Sequence, residues 1–212
     1  MSQNLSQCRL YGIVDLSYVE KSDAARVADA MIKGGVDLIQ LRGKRHSIDE
    51  LVDLATELHE LTARSCTPLI VNDHAEVASK VPVEGVHVGQ HDDSIEVARR
   101  KAGRVVVIGK STHSLGQALA AQREGADYVG FGPIFATPTK PDYRPIGLKD
   151  IKQAHLDVNL PIFCIGGIKI DNLKQVIAAG ARRVAIVSGL LKASDIAAYA
   201  REAKQLLLNL KP

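Results

Sequence analysis

The chain has 212 residues, 46% of them hydrophobic and 24% charged, and carries a formal net charge of +3 at neutral pH. That is enough for one compact domain with a sizeable core, and the balance is ordinary for a globular protein. The basic residues form no run and no stretch approaches the ~20 apolar residues of a membrane span, so neither a nucleic-acid nor a membrane partner is expected.

The opening residues, MSQNLSQC, lack the apolar core of a signal peptide. They are expected to form a loose tail over 1–8, ahead of a single domain over 9–212. Cys8, Cys66 and Cys164 are odd in number and lack metal-type spacing, which suits a reducing, cytoplasmic setting. Cys66 and Cys164 lie in or beside apolar segments and read as small core residues.

Short β-branched apolar runs then alternate with stretches of helical period. The first strand candidate is 10–14, and the second, 38–41, runs into Gln40-Leu41-Arg42-Gly43-Lys44. A helix follows, with Ile48, Leu51, Leu54, Ala55, Leu58 and Leu61 on one side. Strand candidates 69–71 and 85–88 lead to Asn72-Asp73 and to Gly89-Gln90-His91-Asp92-Asp93. Candidate 105–108 precedes Lys110-Ser111-Thr112-His113, and 128–130 opens a long loop over 132–144. Candidates 162–165 and 184–187 end at Gly166-Gly167 and Ser188-Gly189, and a closing helix covers 195–210. Similar phrases at 34–40, 124–130 and 179–186 place a glycine where a helix hands over to the next strand. Strands joined through helices run parallel, and eight of them favour a closed (β/α)8 TIM barrel over an open doubly wound sheet.

In such a barrel the active site lies at the C-terminal ends of the strands, where this chain concentrates its polar residues. Arg42 and Lys44, two apart on an extended segment, point the same way and suit an anion beside Gln40. Asp73 and Asp92 follow adjacent strands, and two hard oxygens that leave room for water and phosphate suit Mg2+. Asp93 is expected to cap the next helix instead. Gly166-Gly167 offers bare backbone amides to a phosphate, with Ser188 completing the site. Thr137, Thr139 and Lys140 add hydroxyls and a cation on the long loop. His46 and His59 read as exposed, His155 lies near a helix end, and His87 sits inside a strand, as either a satisfied core residue or a barrel-interior one. Only His113 stands out as an acid–base candidate, and no triad or zinc cluster appears.

Taken together, QLRGK (40–44), VNDH (71–74), GVHVGQHD (85–92), GKSTHS (109–114), YVGFGPIFATPTK (128–140), IGGI (165–168) and VAIVSG (184–189) resemble the thiamine-phosphate synthase family over almost the whole chain. The resemblance implies a Mg2+-dependent transferase. It condenses 4-amino-2-methyl-5-(diphosphooxymethyl)pyrimidine with 4-methyl-5-(2-phosphooxyethyl)thiazole to give thiamine phosphate and pyrophosphate. It assigns Gln40, Arg42, Lys44, Asn72, Ser111 and Lys140 to the pyrimidine diphosphate, and Thr137, Thr139, Gly167, Val187 and Ser188 to the thiazole phosphate. Asp73 and Asp92 would hold Mg2+, while Lys140, Ser111 and Arg42 would act in the catalytic step. Gly43 and His91 stand where the family often has an acidic residue, and neither is needed as a ligand. Such chemistry demands no nucleophile or base; it needs charge neutralisation of the leaving group and alignment of the partners. The nearest rival is a thiazole tautomerase-like isomerase of the same barrel family, which would not need the carboxylates or the pyrophosphate-binding cluster. The expected partners are small phosphorylated molecules, and a homo-oligomer is compatible with the sequence.

Overall fold

The computed structural model describes residues 5–137 and 144–209. Among these, eight strands close into a parallel barrel in sequence order: β1 (Leu10–Asp15), β2 (Leu38–Arg42), β3 (Leu69–Asn72), β4 (Gly85–Val88), β5 (Val107–Thr112), β6 (Tyr128–Phe131), β7 (Ile162–Ile165) and β8 (Val184–Ile186). Leu10 of β1 lies opposite Val184 of β8, which closes the ring and leaves no sheet edge. Around it run α1 (Ala24–Lys33), α2 (Ile48–Arg64), α3 (Ala75–Lys80), α4 (Ile95–Ala102), α5 (Leu115–Arg123), α6 (Ile151–Asp157), α7 (Ile170–Ala178), α8 (Ser188–Leu191) and α9 (Ile196–Leu208). None of the described helices is long and apolar enough to cross a membrane.

Local chemistry sets where these helices start. Ser47 accepts from the backbone N–H of Glu50, and Glu50 accepts in return from that of Ser47, so a capping box opens α2. Leu51, Leu54, Ala55 and Leu58 then turn inward, as their spacing predicts. Asp195 caps α9 in the same manner, accepting from Ala198 N–H. At the recurring helix-to-strand turns Gly35, Gly125 and Gly180 all take positive φ, the conformation expected from the repeated phrases.

Side chains of alternate strand residues separate two cores. One is a broad, largely aliphatic layer between the sheet and the helices, including Leu41, Val71, Ile108 and Leu58. The other fills the barrel near the N-terminal ends of the strands and contains Tyr11, Leu38, Ile70, Tyr128, Phe163 and Ala185. Leu5 and Cys8 belong to this inner cluster, with 8% and 3% exposure, so they close the lower mouth of the barrel. Residues 5–8 are therefore not the loose tail expected from their polar neighbours: Arg183 donates to Ser6 O, and Cys8 N–H donates to Leu5 O.

Other expectations shift for readable reasons. Cys66 is exposed in a left-handed turn after α2, whereas Cys164 is buried as expected. Asp93 does not cap α4; Ser94 does, accepting from Val97 N–H, and Asp93 pairs with Lys101 instead. His46 and His59, read as exposed, are half-buried, each with an Nδ1 that has no hydrogen-bond partner. The strand expected at 105–108 begins two residues later. Val105 is 99% exposed, and pairing with β6 continues through Lys110, Ser111 and Thr112.

Candidate active site

The pocket opens where the strands end. It is lined by Asp15 from β1, Gln40 and Arg42 from β2, Asn72 from β3, His87 from β4 and Ser111 from β5. Across from them stand Thr137 from the loop after β6, Gly166 and Gly167 after β7, and Val187 and Ser188 after β8. Eight of the residues singled out from the sequence thus meet in one cavity: Gln40, Arg42, Asn72, Ser111, Thr137, Gly167, Val187 and Ser188. Lys44, Asp73 and Asp92 form a separate group that does not line it. Thr139 and Lys140 lie outside the described residues.

Arg42 and Lys44 do not stand side by side as their spacing suggested, and each is held by a different carboxylate, Asp15 and Asp73. β2 ends at Arg42 and Lys44 sits in the turn beyond, so the alternation of an extended strand stops between them. Arg42 donates to Asp15 at 2.6 Å, a pair with side-chain exposures of 13% and 1%. Asp15 also accepts from the backbone and hydroxyl of Ser17. The fixed carboxylate holds a partly buried guanidinium at the lining of the pocket, with donors to spare for a ligand. Asp15 was missed from the sequence, although it occupies on β1 the strand-end place that Arg42 holds on β2.

Lys44 lies 3.1 Å from Asp73. Asp73 sits just past β3 with φ of 64°, a conformation that aspartate tolerates better than most residues. It does not cap α3, whose first cap residue is His74 without a side-chain bond. Burial pushes the Asp73 carboxyl above its ordinary range, and the Asp92 carboxyl, within hydrogen-bonding reach, pushes the same way; Lys44 only partly opposes them. Asp92 itself accepts from Gly89 N–H at 2.7 Å. The loop bearing Asp92 is tied to β5 twice, by Lys110 to Gly89 O and by Gln90 to Ser111 O. Two acidic groups held close together, one of them paired with Lys44, fit a small divalent cation that keeps several waters. Among the described residues no larger cluster of metal-ligating side chains exists.

Both glycines after β7 are required. Gly166 and Gly167 have φ of 99° and 64°, and a Cβ on them would fall 2.4 Å from Pro133 and 2.7 Å from Phe135. The tight turn and the close approach of the loop after β6 are therefore one feature, shared by both residues. The short α8 then starts at Ser188, directly after β8. First-turn amides lack partners within their own helix, and a short extra helix after strand eight is a recurring phosphate site of this fold. That helix was not foreseen, because four residues carry no periodicity. His113 lines the same cavity, and its Nδ1 is hydrogen-bonded to Gly132 O.

Fold and pocket together define a (β/α)8 barrel of the enzyme type, with one cavity at the C-terminal ends of its strands. The family model for thiamine monophosphate synthase matches residues 10–190. The thiamine-phosphate synthase of Chloroflexus aurantiacus is 44% identical over 200 residues, covering 94% of this chain and 92% of that protein. The corresponding protein of Halalkalibacterium halodurans is 40% identical, with 89% and 90% covered. Among solved structures, thiamine phosphate pyrophosphorylase from Pyrococcus furiosus superposes with a TM-score of 0.88 at 31% identity, over 98% of this chain and 99% of that one. The chain belongs to the thiamine monophosphate synthase family, and it is a transferase by that membership.

Proposed function

We propose that the chain condenses 4-amino-2-methyl-5-(diphosphooxymethyl)pyrimidine with 4-methyl-5-(2-phosphooxyethyl)thiazole. The bond from the pyrimidine methylene carbon to the diphosphate oxygen breaks, with both electrons leaving on pyrophosphate. The thiazole ring nitrogen supplies the pair for the new carbon–nitrogen bond. The observation that carries this reading is a single cavity lined by Gln40, Arg42, Asn72 and Ser111 together with Thr137, Gly167, Val187 and Ser188. A reaction between two anionic substrates needs such a pair of holds, so that the reacting atoms meet while both phosphates are anchored.

In this reading the β2, β3 and β5 wall takes the pyrimidine, and the wall after β6, β7 and β8 takes the thiazole phosphate. Arg42, Lys44 and Lys140 neutralise charge as pyrophosphate departs, which matters more in the transition state than in the ground state. Asp73 and Asp92 would hold Mg2+, which supplies further charge neutralisation for the diphosphate. The raised Asp73 carboxyl supports that assignment, because burial and the neighbouring Asp92 together favour added positive charge at this position. A cytoplasmic setting fits the free thiols of Cys8, Cys66 and Cys164.

An isomerase acting on the thiazole phosphate alone would leave the whole Lys44–Asp73–Asp92 group without a task. The test is one incubation with both substrates and Mg2+, followed by the release of pyrophosphate. Stoichiometric pyrophosphate and thiamine phosphate support the transferase. A change in the thiazole compound without the pyrimidine, and no pyrophosphate with it, overturns it.

A further inference from the structure

Along the floor of the pocket, four hydrogen bonds run in series across the barrel interior. Gln40 Nε2 donates to the Tyr11 hydroxyl at 2.6 Å. The hydroxyls of Tyr11 and Tyr128 are 3.0 Å apart. Tyr128 Oη lies 3.1 Å from His87 Nδ1, and His87 Nε2 lies 3.0 Å from Ser111 Oγ. The ends of the series, Gln40 and Ser111, are two of the residues in the proposed pyrimidine wall. Its middle, Tyr11, Tyr128 and His87, has no place in the charge neutralisation described above.

We infer that Tyr11, Tyr128 and His87 are positioning residues, a single polarised hydrogen-bond chain that makes Gln40 an acceptor and Ser111 a donor toward the pyrimidine ring. This deepens the pyrimidine reading and rests on it for the identity of the ligand, but not for the chain itself.

In the direction we infer, the Gln40 amide nitrogen donates to Tyr11, and Tyr11 gives its one proton to Tyr128. Tyr128 then gives its proton to His87 Nδ1. The imidazole therefore carries hydrogen on Nε2 and donates it to Ser111 Oγ. The Ser111 proton is left to turn toward the cavity, and Gln40 Oε1 is left as an acceptor. Burial pushes both phenols well above their ordinary range, so neither loses the proton that the series requires. The rings are fixed by edge contacts: Phe163 lies 5.3 Å from Tyr11 and 5.7 Å from Tyr128, centroid to centroid.

β2 and β5 stand on different sides of the closed barrel, so the acceptor and the donor flank the pocket from different sides. A planar ring with an amino group on one edge and a bare ring nitrogen on another satisfies both. A ring with a carbonyl in place of the amino group directs an acceptor at the Gln40 oxygen and is refused. Tyr11 and Tyr128 thus determine specificity without reaching the reacting atoms.

The test compares binding of the 4-aminopyrimidine diphosphate with that of its analogue bearing a carbonyl at the same carbon, using parent protein, Tyr11→Phe, Tyr128→Phe and the double variant. The parent should prefer the amino compound by about 100-fold or more, as sites built around a buried polar contact do. Tyr11→Phe releases the Gln40 amide to turn over, and should shrink that preference by about tenfold, the worth of one lost hydrogen bond. Inorganic pyrophosphate should bind equally well to all four proteins. Because the effects share one series, the double variant should be no worse than the worse single variant. An unchanged preference in Tyr11→Phe, or strictly additive losses, overturns the inference.

Nitrogen-15 spectra of His87 test the chain without any ligand. They should show a bare Nδ1 and a protonated Nε2, with the Nδ1 resonance moving in Tyr128→Phe. A proton on Nδ1 in the parent protein reverses the chain and overturns the inference. Spectra as expected, with neither pyrimidine bound, would instead leave the chain standing and remove the pyrimidine reading.

Discussion

The layer outside the barrel and the space inside it are built on opposite terms. Outside, between strands and helices, the side chains are almost entirely alanine, valine, leucine and isoleucine, and they are buried without polar partners to satisfy. Inside, the apolar floor of Leu38, Ile70 and Phe163 gives way within one or two residues to Gln40, Asn72, His87 and Ser111, and then to charged groups. The same strand carries both, since its alternate residues face opposite ways. Stability is concentrated on one face of the sheet and chemistry at the upper end of the other, so substitutions should separate the two cleanly.

The largest separation is expected at the paired carboxylates. Asp73→Asn should reduce turnover by about 1,000-fold, the order of effect expected when a metal's charge is lost from a departing anion. Because Asp73 is held against Asp92 at an electrostatic cost, the same change should leave the melting temperature unchanged or higher. A coupled fall in melting temperature and turnover would show that the pair is structural. The opposite behaviour is expected of Leu58, fully buried on α2. Leu58→Ala should cost about 2–5 kcal/mol in urea unfolding, while the active-site titre per folded molecule stays that of the parent. A change in the Michaelis constant for either substrate would mean that the outer layer reaches the site after all.

A finer cut runs through the pocket itself. Ser188→Asp places a negative charge against the start of α8 and should weaken thiazole phosphate binding by about 100-fold, while pyrimidine diphosphate loses less than about tenfold. Calorimetric titration of each ligand checks this, and equal losses would mean that the two walls are wrongly divided.

The smallest effect concerns acid. His155, half-buried on α6 with an unpartnered Nε2, has its pKa lowered from 6.5 to about 4 by burial and then by Arg182 and Arg183. In the folded chain it stays neutral down to about pH 4, whereas the unfolded chain takes up a proton below about pH 6.5. Stability should therefore be unaffected above that range and decline by about 3 kcal/mol as the pH falls through it. His155→Phe should flatten that decline in thermal melts between pH 7 and 4, and an unaltered slope would assign it to other groups.

The same contrast between faces explains what could be read in advance. The outer layer is written in residue type and period, so the eightfold alternation and the helix at 48–61 were legible from the sequence. Strand ends were not, because Asp15, Arg42, Asn72 and Ser111 are polar yet continue the backbone ladder. A strand that serves a site looks shorter than it is. β5 shows this most plainly: its apolar run starts with the exposed Val105, and its functional half is Lys110 to Thr112. The closeness of Asp73 and Asp92 was legible too, because they follow adjacent strands. Pairings across the barrel, such as Arg42 with Asp15, depend on closure of the ring and leave no mark in local sequence.

Leu5 and Cys8 carry a practical consequence. They share the inner cluster with Tyr11 and Phe163 and, among the described residues, seal the lower end of the barrel interior. Trimming the chain through Cys8 exchanges that seal for an opening. Water then gains a second route to the aromatic layer, and the phenol chain above it acquires competitors for every proton it passes along. An affinity tag fused close to Leu5 poses the same hazard in milder form, so a short flexible spacer, or a tag on the other end, is the sounder choice for enzymology on this barrel.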